Sequence, residues 1–114
     1  MTEEPEGLIV EIDREPGVAV VRTSGRLVAG LTDVLYGEVR PLIPGTKRIV
    51  LDLTDLTHMD SMGLGTLVRL FVTAKAAGCD LELVNIGKRI RQLLGMTNLM
   101  SFFTVIGEND VRIP

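Results

Sequence analysis

The chain has 114 residues, 46% apolar and 4% aromatic with no Trp, so a single domain with a Val, Ile and Leu core is expected. A net charge of −3 argues against a general nucleic-acid binder, and one cysteine (Cys79) beside one histidine (His58) excludes an internal disulfide and a Cys/His zinc site. No apolar run approaches the ~20 residues that span a bilayer, and the opening MTEEPEG has neither the basic nor the apolar region of a signal peptide, so a cytoplasmic domain without a membrane span is expected.

Residues 1–7 are acidic, with a proline and a glycine, and read as a flexible lead-in to a domain over residues 8–114. Leu8 to Ile12 alternates as a strand does, Pro16-Gly17 supplies a turn, and the β-branched run Val18 to Thr23 completes a hairpin. Ser24-Gly25 then punctuates, and Leu27 to Ala29 reads as a short loop. Leu31, Val34, Leu35, Val39 and Leu42 recur at helical spacing, with Thr32 as a candidate N-cap and Pro41 and Pro44-Gly45 closing the helix. Lys47 to Leu53 has the composition of a buried central strand, and TDLTHMD bridges to a helix over Ser61 to Ala77. That helix is apolar on most sides, as if wedged between a sheet and another helix or a partner, and Gly78 ends it. Asp80 to Ile86 reads as a strand, and a helix opens at Gly87-Lys88-Arg89 and ends at Gly95. A further turn is expected over Thr97 to Ser101, a last strand over Phe102 to Ile106, and a tail over GENDVRIP. The order β-β-α-β-α-β-α-β predicts an α/β domain with a mixed sheet of four to five strands and packed helices.

The segment Thr57 to Leu67, THMDSMGLGTL, enters its helix through Asp60-Ser61 and carries Gly63 and Gly65 in the first turns. Asp and Ser are ordinary N-cap residues. A plain cap needs no glycine, however, and each costs up to ~1 kcal/mol relative to alanine inside a helix. Their expected role is to clear the space around the Ser61 hydroxyl.

Catalytic readings fail on spacing. Gly63-x-Gly65 has Val68 where a dinucleotide fingerprint needs its third glycine, and a nucleophile elbow needs glycine where Met59 stands. His58 lies three residues before Ser61 and has no orienting third group, while Asp52 and Asp55 read as solvated turn residues. An enzyme is not expected, nor is a cofactor or a metal. Lys88, Arg89 and Arg91 make the start of the third helix basic, either as a solvated face or as an anion or partner contact.

Arg48 to Leu70, RIVLDLTDLTHMDSMGLGTLVRL, resembles the core of the STAS domain family, and within it the bacterial anti-sigma factor antagonists. VVRTSGRL resembles the family's second strand with its Gly-x-Leu exit. LELVNIGKRIRQLLGMTNLMSFFTV resembles the later strand, helix and final strand, so the likeness runs from about Leu8 to Ile106. The resemblance implies a domain that binds an anti-sigma factor which is also a serine kinase. Phosphorylation of the residue matching Ser61 ends that association, and a serine phosphatase restores it. The implied partner-binding residues are Asp60, Ser61, Met62, Gly63, Leu64 and Gly65, with Arg26 and Val28 from the preceding loop and Lys88 and Arg89 from the third helix. Two positions depart from the family: Val28 stands where an acidic residue is frequent, and Met62 where Ser or Thr is common. The alternative implied by the same resemblance is a non-catalytic structural or sensory subunit of a signalling assembly or transporter. Oligomeric state is left open.

Overall fold

The computed structural model describes residues 7–96, 104–106 and 112–113. Its strands are β1 (Leu8–Glu15), β2 (Val18–Leu27), β3 (Arg48–Met59), β4 (Asp80–Val84), β5 (Thr104–Ile106) and β6 (Arg112–Ile113), and its helices are α1 (Thr32–Val39), α2 (Ser61–Ala76) and α3 (Lys88–Met96). The strands lie in one sheet in chain order. β1 and β2 form the antiparallel hairpin, β2 through β5 run parallel, and β6 returns antiparallel to β5. The α/β architecture and mixed sheet are as expected, and the stretch read as a tail adds the two-residue β6.

Three parallel connections step the same way across the sheet, and right-handed crossovers therefore place α1, α2 and α3 on one face. A single core fills that interface. Ala19 and Val21 of β2, Ile49, Leu51 and Leu53 of β3, and Leu81 and Leu83 of β4 meet Leu35 and Val39 of α1, Leu67 and Leu70 of α2, and Ile90 and Leu94 of α3. The opposite face carries charge in pairs. Arg22 contacts Asp13 across the hairpin at 2.6 Å, and Arg48 contacts the buried Glu82 carboxylate of β4 at 2.9 Å.

The largest difference from expectation lies at the ends of β2 and β3. β2 continues through Ser24-Gly25 to Leu27, and the TDLTHM stretch read as a link is strand, paired with it as far as Leu27 and Met59. β3 carries two bulges. Between Arg22 and Ser24 of β2 it advances from Asp52 to Asp55, and between Gly25 and Arg26 from Leu56 to His58. Each extra residue breaks the period-two alternation by which a strand is recognised. The first bulge is held by Asp52, whose Oδ1 accepts from the Thr54 amide at 3.0 Å, the Thr54 hydroxyl at 2.6 Å and Asn85 Nδ2 at 3.3 Å. Asp52 is thus a half-buried structural acceptor and not a solvated turn residue. Burial raises its pKa, but those donors and the Arg22 charge outweigh it, and the carboxyl sits below its usual range.

Gly25 passes through the hairpin at φ +104°, where a Cβ would strike the Gly7 carbonyl oxygen. α1 begins at Thr32 itself with Leu31 at the N-cap position and no side-chain cap, so Thr32 is not the cap, and a single 3-10 turn over Arg40–Leu42 follows. α2 ends as expected at Gly78, which takes φ +76°. β4 stops at Val84, short of the expected Ile86, because Asn85 turns to φ +58°. The expected turn at Thr97 to Ser101, and Phe102 and Phe103, lie outside the described residues, as does most of the lead-in.

Candidate functional site at the α2 entrance

Asp60 sits in extended conformation as the N-cap of α2 (φ −110°, ψ −174°). Its two carboxylate oxygens do different jobs. Oδ1 accepts from the Gly63 amide at 2.9 Å, closing the first turn, and Oδ2 accepts from the Ala29 amide at 2.9 Å, reaching the loop between β2 and α1. The Asp60 amide in turn donates to the Leu27 carbonyl. One aspartate therefore ties the loop containing Val28 to the helix entrance containing Ser61. The Ala29 amide, then the Gly63 amide, hold its carboxyl below the ordinary aspartate range.

The two glycines divide the expected role between them. A Cβ on Gly63 would strike the Leu27 carbonyl oxygen and come within 2.9 Å of Met59 Cγ, whereas one on Gly65 would meet nothing within 4 Å. Gly63 is therefore required by the close crossing of β2's end over α2, and it does not clear space around the serine. Gly65 faces outward and leaves the surface beyond Ser61 bare.

The motif thus splits by orientation. Ser61, Met62 and Gly65 are exposed, Asp60 is half-buried, and Gly63 and Leu64 are buried in the domain's own core. Gly63 and Leu64, expected to contact a partner, are instead packed into the domain. Arg26 is exposed on β2 opposite His58, and Val28 is half-buried, its carbonyl accepting from the Leu31 amide at 2.9 Å. Lys88 is exposed at the start of α3, and no hydrogen bond or ion pair among the described residues joins it to Asp60 or Ser61. The Arg89 side chain lies outside the described residues.

Sequence reasoning missed the groups that build the clamp: the Leu27 carbonyl, the Ala29 amide and Thr57, whose hydroxyl donates to the Gly25 carbonyl at 2.8 Å. Two are backbone groups with no side-chain signature. Thr57 lies in the part of β3 where a bulge breaks the strand alternation. Among the described residues no cluster of three or more His, Cys, Asp or Glu side chains is placed to hold a metal ion. No described helix is long and apolar enough to cross a membrane.

Comparison with known proteins places the sequence and the fold. Over residues 10–110 the sequence fits the model of the STAS domain. It is 27% identical over 107 residues to the anti-sigma F factor antagonist of Paenibacillus polymyxa, covering 92% of this chain and 91% of that protein. It is 26% identical to the anti-sigma-B factor antagonist of Bacillus subtilis, covering 89% of this chain and 93% of the relative. Its fold superimposes on unphosphorylated SpoIIAA with a TM-score of 0.74 at 17% identity, covering 89% of this chain and 90% of that one. A match that extends over residues 10–110 of 114 shows that the chain belongs to the STAS domain family.

Proposed function

We propose that this protein is an anti-sigma factor antagonist that works by partner switching in the cytoplasm. It binds an anti-sigma factor that is also a serine kinase, and phosphorylation of Ser61 ends the association. In that step Ser61 Oγ attacks the γ-phosphorus of ATP, the bond to ADP breaks, and the serine proton passes to a base on the kinase. A serine phosphatase reverses the change by hydrolysis. The protein itself acts as a binding module and performs no catalysis. The observation that carries this reading is the exposed Ser61 at the first position of α2, beside a carboxylate already committed to two backbone amides.

The consequence follows from charge. A phosphoserine adds about −1.5 to −2 charges and three strong acceptors. Placed at a helix N-terminus it meets the favourable end of the helix dipole, so the domain stays folded. A docked partner must instead desolvate or repel that charge, and a loss of ~3–4 kcal/mol weakens binding by two to three powers of ten. Incubation with the cognate kinase and ATP should add one phosphate, absent in Ser61→Ala by intact mass. The reading fails if unmodified protein binds its anti-sigma factor no better than Ser61→Asp does.

A further inference from the structure

α2 is more apolar than its own packing requires. Leu64, Leu67, Leu70 and Ala74 enter the core, yet Met62 and Val72 remain 58% and 56% exposed, the most exposed large apolar side chains among the described residues. They do not stand alone. Met62, Gly65, Arg69, Val72 and Ala76 are all exposed and follow one another at alternating steps of three and four residues. That spacing is a single stripe down one side of a helix, about 21 Å long at the α-helical rise. Glycine and alanine in the stripe let a second backbone approach closely, with methionine and valine as the projecting contacts.

The stripe has one charge, at its middle. The Arg69 guanidinium lies 4.3 Å from the centroid of the Tyr36 ring, so α1 holds it in place across the helix pair. Burial raises the pKa of the Tyr36 hydroxyl, and hydrogen bonding to Thr73 together with the Arg69 and Arg40 charges overcomes this and lowers it. A cationic centre thus stands on this face of a chain whose net charge is −3. Two-fold self-docking along the stripe would set Arg69 against its own copy at the axis, a like-charge contact. The surface selects a different molecule.

We propose that this stripe receives an amphipathic helix of the anti-sigma factor, carrying a carboxylate opposite Arg69. The proposal rests on the function argued above and adds where the partner lies and what it presents. Recognition of an amphipathic helix through apolar anchors at i, i+3, i+4 and i+7 spacing is one of the recurring modes of protein recognition. The stripe begins at Met62, directly after Ser61. A helix seated on it therefore ends against the serine hydroxyl, where it would have to desolvate a new phosphate. Docking and switching become one continuous surface.

Titration calorimetry of the full chain against its cognate anti-sigma factor tests this, with wild type, Val72→Glu, Arg69→Glu and Ser61→Asp compared. Val34→Glu, on an exposed position of α1 outside the stripe, is the control. Tenfold or greater weakening in both Val72→Glu and Arg69→Glu, with Val34→Glu unchanged and all variants folded by circular dichroism, supports the stripe. Wild-type affinity in both stripe variants, with Ser61→Asp still impaired, overturns it and leaves the functional reading standing. Failure of wild type to bind the anti-sigma factor overturns both. A wild-type dimer in sedimentation that Val72→Glu dissolves would assign the stripe to a second copy and overturn the proposed occupant.

Discussion

At the scale of single residues, the two glycines of the helix entrance make opposite predictions. Gly63→Ala pushes a methyl group against the Leu27 carbonyl oxygen, a backbone atom that cannot rotate away. Overpacking of this kind costs about 1–3 kcal/mol, and a rigid neighbour places it at the upper end, about 3 kcal/mol in chemical denaturation. Gly65→Ala meets open space and gains helix propensity, so it should stabilise the protein by about 0.5–1 kcal/mol while narrowing the surface beside Ser61. Asp60 gives a pH-dependent test. Its folded pKa is depressed, so the stabilisation it confers is complete above the unfolded value of about 3.9 and is lost as pH falls through the lower folded value. Amide shifts of Ala29 and Gly63, followed by NMR from neutral to acid, should therefore turn over together and below about pH 3.9. Separate midpoints for the two amides would show that one carboxylate does not hold both.

At the scale of elements, the sheet is bound across its exposed face by a pair of unequal burial. The Glu82 side chain is 7% exposed and Arg48 is 44% exposed. Removing the arginine strands a buried carboxylate, whereas neutralising the glutamate leaves a cation that water can reach. Arg48→Ala should cost about 2–3 kcal/mol, below the range for fully buried pairs because solvent already screens the arginine. Glu82→Gln, which keeps shape and an acceptor oxygen, should cost about 1 kcal/mol. Urea unfolding with unchanged slope would establish the order. The elements also show how far the sequence could be read. The hairpin is legible from its alternation and Pro16-Gly17 turn, the central strand from its short apolar run, and α2 from a long apolar stretch closed by Gly78. The far half of β3 is not, since its two bulges shift the register and scatter Thr54, Leu56 and His58 out of alternation. Thr32 imitates a cap because it is a polar residue before an apolar run, although no side chain caps α1. Asp60 and Ser61 were legible as residue types. The Ala29 amide that Asp60 reaches, and the Leu27 carbonyl that demands Gly63, belong to chain crossings that only the fold creates.

At the scale of the molecule, the helices lie on one face and Ser61 stands at the free end of the longest described helix. The core and the proposed switch at Ser61 are therefore separable. The buried residues nearest the serine in sequence, Gly63 and Leu64, pack into the domain, and the serine itself is exposed. Negative charge at the first helical position also favours the helix dipole by about 0.3–1 kcal/mol. Ser61→Asp should accordingly raise the melting temperature by a few degrees or leave it unchanged, since 1 kcal/mol moves a domain of this size by roughly 3–6 °C. The same substitution should weaken binding to the anti-sigma factor by about a hundredfold or more, the effect argued above for the phosphate. Calorimetric melting and binding measured on one preparation separate the two quantities. A variant that lost binding only in proportion to lost stability would mean that Ser61 supports the fold, and a switch built on surface charge would have no place to act.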